Sequence, residues 1–363
     1  MKVATSIVLG REAKPELATE AVTNAMRKAG ITVANSVLLL LTSEFASNPQ
    51  AAIKAAASAA SCTQVMGCSA TGIFTEDDWV LDAPAAAAMV FGDDVGLQLA
   101  RQNYARQPLL TLSAPNAINS TWLSNDIARF GGVSGDAIGQ GPFSVWQNAK
   151  GEVSGYVEAF FSGVNVATEA SHGLLKLTQP KKIQQVDEFD ILLLDRHISP
   201  YVSLKKAWKA HSKSNEPVPL HLVMAIYAES AKAIKQGEYN QTTVIGYHET
   251  NGNIMLAQPL KPGQYMSWGL RDTTAAIADM THMTHRLAEK LGNQPDFALL
   301  FSCLGRGPYF YAGTDQDLKV IAQQFPRMPL LGFYGNGEIA SISGVNQLLP
   351  YSAVLSLFSA KTN

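Results

Sequence analysis

One order of elements occurs twice in this chain, and that repetition restricts the possible folds more than any other feature. Residues 14–30 space Leu17, Ala21, Ala25 and Ala29 as a helical stripe and stop at Gly30. A continuous apolar strand follows over 36–42. Next comes an Ala-rich helix after Asn48-Pro49, where proline suits a first turn. Strands at 64–69 and 85–92 then flank a turn-rich stretch. Near the other end, a helix over 272–292 stops at Gly292. It is followed by a strand (296–302), a helix over 314–325 with Thr314 as its cap, and strands at 329–335 and 351–358. Gly67 precedes Ala85 by 18 residues, and Gly332 precedes Tyr351 by 19. Ser43 to Gly67 is 24 residues and Cys303 to Gly332 is 29, the surplus being the loop GRGPYFYAG. The pattern predicts a mixed α/β (α+β) fold of two related halves. Each half carries a mixed sheet and a β-α-β-α-β-β core flanked by helices.

Between the repeats lies a strand-rich region. Residues 143–163 alternate around Ala149-Lys150-Gly151 as a hairpin, and strand character continues to Asp195. Residues 209–221 (KAHSKSNEPVPLH) have linker chemistry, so the halves are expected at 1–215 and 216–363. A second hairpin, 242–260, turns at Asn251-Gly252.

Composition removes several classes of function. Lys+Arg 28 against Asp+Glu 30 leaves no basic stripe for nucleic acid. The longest apolar runs, Val37 to Leu41 and Ala83 to Gly92, fall far short of the ~18 residues of a membrane span. The N-terminus turns charged too early for a secretory core. Three cysteines, with no metal-type CxxC pair, make neither a disulfide framework nor a zinc site. With 47% hydrophobic and 16% charged residues, a cytoplasmic protein with a large core and a lightly charged surface is expected.

In a β-α-β unit both strands point their carboxyl ends to one edge, and ligands bind beyond that edge. The rule selects Thr42-Ser43-Glu44, Gly67-Cys68-Ser69-Ala70, residues 302–307 (SCLGRG) and residues 332–338 (GFYGNGE). A fifth segment, residues 131–141 (GGVSGDAIGQG), has five glycines, which let backbone N–H groups approach a ligand. Arg306, between two glycines, offers a fork for a carboxylate, while Glu338 or Asp136 would face an ammonium group.

FSCLGRG, followed about thirty residues on by GFYGNGE, resembles the C-terminal signature of the FIST family. GCSATG (67–72) and GGVSGD (131–136) resemble its N-terminal motifs, and the likeness runs from about residue 14 to 358. One departure is plain: Ile73 stands where the family carries an acidic residue. The resemblance implies a FIST N-terminal domain, a FIST C-terminal domain and a stand-alone sensory protein for a small amino-acid-like or carboxylate ligand. It would signal through a separate partner. The implied pocket residues are Ser302, Cys303, Arg306, Gly307, Glu338, Gly67, Ser69 and Asp136.

The resemblance also raises an alternative, a haem-binding nitric-oxide sensor regulating a histidine kinase. Haem needs an axial ligand in an apolar pocket. His282 and His285 lie on the far side from the stripe Ile277, Met280, Leu287 and Leu291, which leaves His172 and His248 as candidates. A third reading is a thiol-dependent enzyme in which Arg306 activates Cys303. It is the less favoured class, because no histidine is tied to Cys303 by sequence and no Ser/His/Asp order, phosphate loop or dinucleotide fingerprint is present.

Overall fold

A computed structural model describes residues 1–100, 107–123, 126–136 and 138–361. The chain forms two compact units, Met1–Ser171 with Met280–Asn363, and His172–Asp279. The expected boundary near residue 215 lies inside the second unit.

The first repeat supplies β1 (Lys2–Leu9), α1 (Pro15–Ala29), β2 (Ser36–Thr42), α2 (Gln50–Ala60), β3 (Val65–Ala70), β4 (Gly72–Thr75), β5 (Trp79–Leu81) and β6 (Ala85–Gly92). The strand-rich stretch gives β7 (Gly96–Leu99), β8 (Leu109–Ser113), α3 (Ser120–Leu123), β9 (Arg129–Val133), β10 (Val145–Gln147), β11 (Lys150–Gly151), β12 (Tyr156–Ser162) and β13 (Val164–Ser171). The second unit holds β14 (Leu174–Lys176), β15 (Lys181–Asp187), β16 (Asp190–Leu194), α4 (Pro200–Ser212), β17 (Val223–Ala228), α5 (Ala231–Gln236), β18 (Asn240–Tyr247), β19 (Ile254–Leu256) and β20 (Tyr265–Arg271). Helix α6 (Thr273–Leu291) leads into β21 (Phe297–Cys303), α7 (Gln316–Gln324), β22 (Leu330–Gly335), β23 (Glu338–Ile342), β24 (Val345–Leu349) and β25 (Ala353–Ala360).

The duplication is visible in the registers. Strand β2 is parallel to β3 and antiparallel to β6, as β21 is parallel to β22 and antiparallel to β25. Leu39 pairs with Gly67 as Leu300 pairs with Gly332. Following the ladders, Thr42 corresponds to Cys303 and Ala85 to Ser352, one residue from the Ser43 and Tyr351 that spacing suggested. A Cβ on Gly67 would meet Leu39 O at 1.7 Å, and one on Gly332 would meet Leu300 O at 1.9 Å. Only glycine fits either place.

Except for the start of α6 up to Asp279, both repeats fall in the first unit. Its sheets run β1-β6-β2-β3-β10-β11, β13-β25-β21-β22-β4-β5 and β24-β23-β9-β8-β12-β7. The hairpin β4–β5 follows β3 in the chain, yet it pairs with β22 of the other repeat, Thr75 opposite Leu331. All three sheets face one core that contains Leu40, Phe91, Phe130, Phe161, Phe301 and Phe358. Burial of each such side chain is worth about 1.5–3 kcal/mol. Helices α1 and α2 cover the first sheet with Ala21, Ala25, Ala52 and Ala56, whose small side chains admit a close approach. Met280, Met283, Leu287 and Ile321 of α6 and α7 cover the second sheet.

Three expectations need correction. The 143–163 hairpin shrinks to β10–β11, turning at Asn148-Ala149, because β12 joins another sheet. Residues 209–212 belong to α4. The cap of α7 is Asp315, whose carboxylate accepts from Leu318 N at 3.0 Å, not Thr314. The hairpin at Asn251-Gly252 forms between β18 and β19.

In the second unit, the sheet β14-β20-β15-β16-β19-β18-β17 closes on itself through a β17–β20 ladder, around Ile183, Leu204, Val223 and Trp268. No described helix of the chain is long and apolar enough to cross a membrane.

Candidate functional site

The strand ends selected by topology meet along one edge of the first unit. Cys303 is paired with Gly335, and its N–H donates to Ser352 O at 3.0 Å. Asn336 N donates to Val133 O and Val133 N to Gly337 O, at 3.0 and 2.9 Å, which ties β9 to the turn after β22. Ser134 Oγ donates to Ser69 O at 2.6 Å and brings in the end of β3. The ideal Cβ position of Gly135 lies 2.9 Å from Thr71 Oγ1 and 3.1 Å from Asn336 Oδ1, so the two segments approach closely there.

The side chains there divide into those already committed and those left unsatisfied. Ser69 is committed, since its hydroxyl accepts Ser144 N at 3.0 Å and lies 3.1 Å from Ser134 Oγ. Asp136, expected to face an ammonium group, caps its own loop by accepting from Gly139 N and, at 2.8 Å, from Gly141 N. Arg306, expected to grip a ligand carboxylate, is 2% exposed and has its fork engaged inside the protein. Its Nε and Nη2 donate to the Asp317 carboxylate at 2.8 and 3.1 Å, and Nη1 and Nη2 donate to Ser171 O and Oγ, both at 2.7 Å. A bidentate pair of this kind fixes geometry strongly, so Arg306 pins its loop to α7 and to the end of β13. Gly307 makes room for the Tyr334 ring, 2.8 Å from the position a Cβ would take.

Glu338 is different. It is 1% exposed, and Oε2 accepts Ser352 N at 3.3 Å while Oε1 has no partner. Burial pushes its pKa well above the usual carboxylate range, against the opposing pull of the Ser352 N–H and the Arg306 charge. Ser302 Oγ and Thr71 Oγ1 are likewise buried without a hydrogen-bond partner. Cys68 packs into the core, where burial drives its thiol pKa up. Cys303, the nucleophile of the enzyme alternative, is 9% exposed. Ile73, at the departure from the family motif, is a core residue opposite Phe333.

The sequence reading missed Thr71, Ser171, Asp315, Asp317 and Ser352. Thr71 lies within the GCSATG motif, and the two aspartates belong to no motif of their own.

The two histidines expected as haem ligands sit in different surroundings. His172 is buried against Tyr239, ring centroids 4.5 Å apart, and His248 is exposed, 3.8 Å from Asp190. Neither lines the ≈530 Å³ groove beside α7 or the ≈340 Å³ cavity around Lys176 and Lys235. Among the described residues, no group of three His, Cys, Asp or Glu could hold a metal ion.

A duplicated α/β module with a polar strand-end site, in one chain with a small closed barrel, is the class of protein that fold and site define. The chain belongs to the FIST family, with the FIST N domain matching residues 36–197 and the FIST C domain residues 203–341. Domains of this family are described as small-ligand sensory domains in signalling. Uncharacterised proteins of Mycobacterium tuberculosis are 32% identical over 123 residues, 34% of this chain and 32% of theirs. One from Mycobacterium bovis is 32% identical over 130 residues, 36% of this chain and 34% of its own. The matched stretch thus spans about a third of the length of these relatives.

Proposed function

We propose that this protein senses a small carboxylate or amino-acid-like ligand at the strand-end edge of its first unit. It then passes its state to a separate signalling protein, such as a histidine kinase, in the cytoplasm. One observation carries the reading: Thr71 Oγ1, Ser302 Oγ and Glu338 Oε1 are buried and unpartnered on segments that end along that edge. Each such group costs about 1–3 kcal/mol while unsatisfied, and a ligand that meets it recovers that cost. Burial favours a proton on Glu338, which then serves, like the two hydroxyls, as an O–H donor to a ligand that presents acceptors. Signalling follows when the ligand binds one arrangement of the edge better than another.

A thermal-shift screen of amino acids and small carboxylic acids tests this. The expected result is stabilisation by one chemical class, weakened in Glu338→Met and Ser302→Ala, which remove the donors. A screen in which no acid stabilises the protein, or one in which both variants respond as the parent does, would remove the reading.

A further inference from the structure

The two repeats differ in how the flank of the second helix is closed. In the first repeat, β10–β11 lies against α2: Gln50 Nε2 donates to Ala149 O at 3.0 Å, and Gly151 N donates to Gln50 Oε1 at 3.4 Å. In the second, the hairpin β4–β5 and α7 are the walls of a groove of ≈530 Å³. That volume falls within the roughly 300–1,000 Å³ of small-molecule sites. Leu318, Ile321, Phe325, Met328 and Leu330 make its surface apolar, and Trp79 stands on the hairpin side.

The charged groups of the groove are not equivalent. Glu76 accepts from Thr5 Oγ1 and, at 3.0 Å, from Leu330 N. Asp77 is paired with Lys28 at 2.6 Å, and Lys319 and Arg327 are exposed to water. Asp315 is 2% exposed, and the donors to its carboxylate are neutral: Leu318 N at 3.0 Å, Tyr334 OH at 2.7 Å and the Asp317 backbone N–H. Arg306, the nearby buried cation, is paired with Asp317. Among the described residues no cation forms an ion pair with Asp315, although a buried charge without a countercharge is costly. Burial and the Asp317 charge raise Asp315 to about 6, as expected of such an anion.

We propose that this groove is a second ligand site, for a small organic cation. Its occupant is an amine with an apolar or aromatic body, whose ammonium group supplies the countercharge of Asp315. The body lies along Leu318, Phe325 and Met328, and the Trp79 ring adds a cation–π face. Thr71, Ser302 and Glu338 do not line the groove, so the site is separate from the strand-end edge. It is nevertheless linked to that edge, since Tyr334 donates to Asp315 and packs on Gly307, next to Arg306.

Calorimetric titration with tryptamine and with indole-3-propionate, which share a ring and carry opposite heads, tests the proposal. Tryptamine should bind saturably and about tenfold or more tightly than the acid, the scale of one charge-assisted contact. Asp315→Asn should cost about tenfold in tryptamine affinity. Ala322→Trp, at an exposed position on the groove wall, should abolish binding without touching the buried network. No saturation by tryptamine, tighter binding of the acid, or unchanged affinity in Asp315→Asn or Ala322→Trp would each overturn the assignment.

Discussion

The two repeats share a backbone plan and differ in what closes their strand ends. In the first, Thr42 Oγ1 accepts Ala85 N at 3.0 Å, and Phe45 fills the single 3-10 turn that follows β2. In the second, the corresponding Ser352 N meets Glu338 Oε2, and Arg306 ends the corresponding 3-10 turn, tied to Asp317. A hydroxyl and a phenyl ring are cheap to bury, whereas each buried ion costs several kcal/mol unless fully paired. The same scaffold is thus closed by inexpensive groups at one end of the duplication and by titratable ones at the other.

The comparison breaks most visibly at Arg306. Arg306→Met leaves Asp317 buried without its cation and should destabilise the protein by about 3–5 kcal/mol in chemical denaturation. Adding Asp317→Leu, which moves the second repeat toward the apolar chemistry of the first, should recover most of that loss. A double variant no more stable than the single one would show that the charges cannot be exchanged for packing.

Titration gives the next effect. Asp315 has its folded pKa raised from 3.8 to about 6, so the folded state binds the extra proton between those values. Stability from this group is therefore full below about pH 4 and is lost as pH rises through 6, on the order of 2–3 kcal/mol. Glu338 shifts in the same direction. Asp315→Asn should gain stability over the parent between pH 4 and 7, read from melting temperatures across that range. A constant difference would mean that Asp315 does not titrate there.

The smallest effect belongs to the first repeat. Thr42→Val removes the acceptor of Ala85 N and should cost about 1–2 kcal/mol, independent of pH between 4 and 8. A pH-dependent loss would erase the contrast between the two ends.

Much of the scaffold was legible because its central strands are buried on both faces, which turns 37–41 and 297–301 into unbroken apolar runs. Gly67 and Gly332 marked the duplication for a reason the ladders supply: a Cβ at either would strike a neighbouring carbonyl. The site was legible by position, since the strand-end segments do meet, but not by role. Arg306 announced a charge, and its partner Ser171 lies 135 residues away. Asp136 looked free because a sequence does not reveal that a carboxylate caps its own loop. Nothing in composition marks Ser302 or Thr71 as hydroxyls left without partners, and the α7 cap was misplaced by one residue because Thr314 and Asp315 are both good caps.

The exchanged hairpin has a consequence for synthesis. Thr75 and its ladder partner Leu331 are 256 residues apart. At roughly 5–20 residues per second, β4–β5 leaves the ribosome about 10–50 s before its partner strand exists. During that interval the first repeat can complete its own β-α-β core but not the neighbouring sheet, and Phe74, Ile73 and Trp79 wait without their cover. The duplicated halves therefore cannot mature one after the other, and an apolar hairpin stays uncovered until the far end of the polypeptide is made.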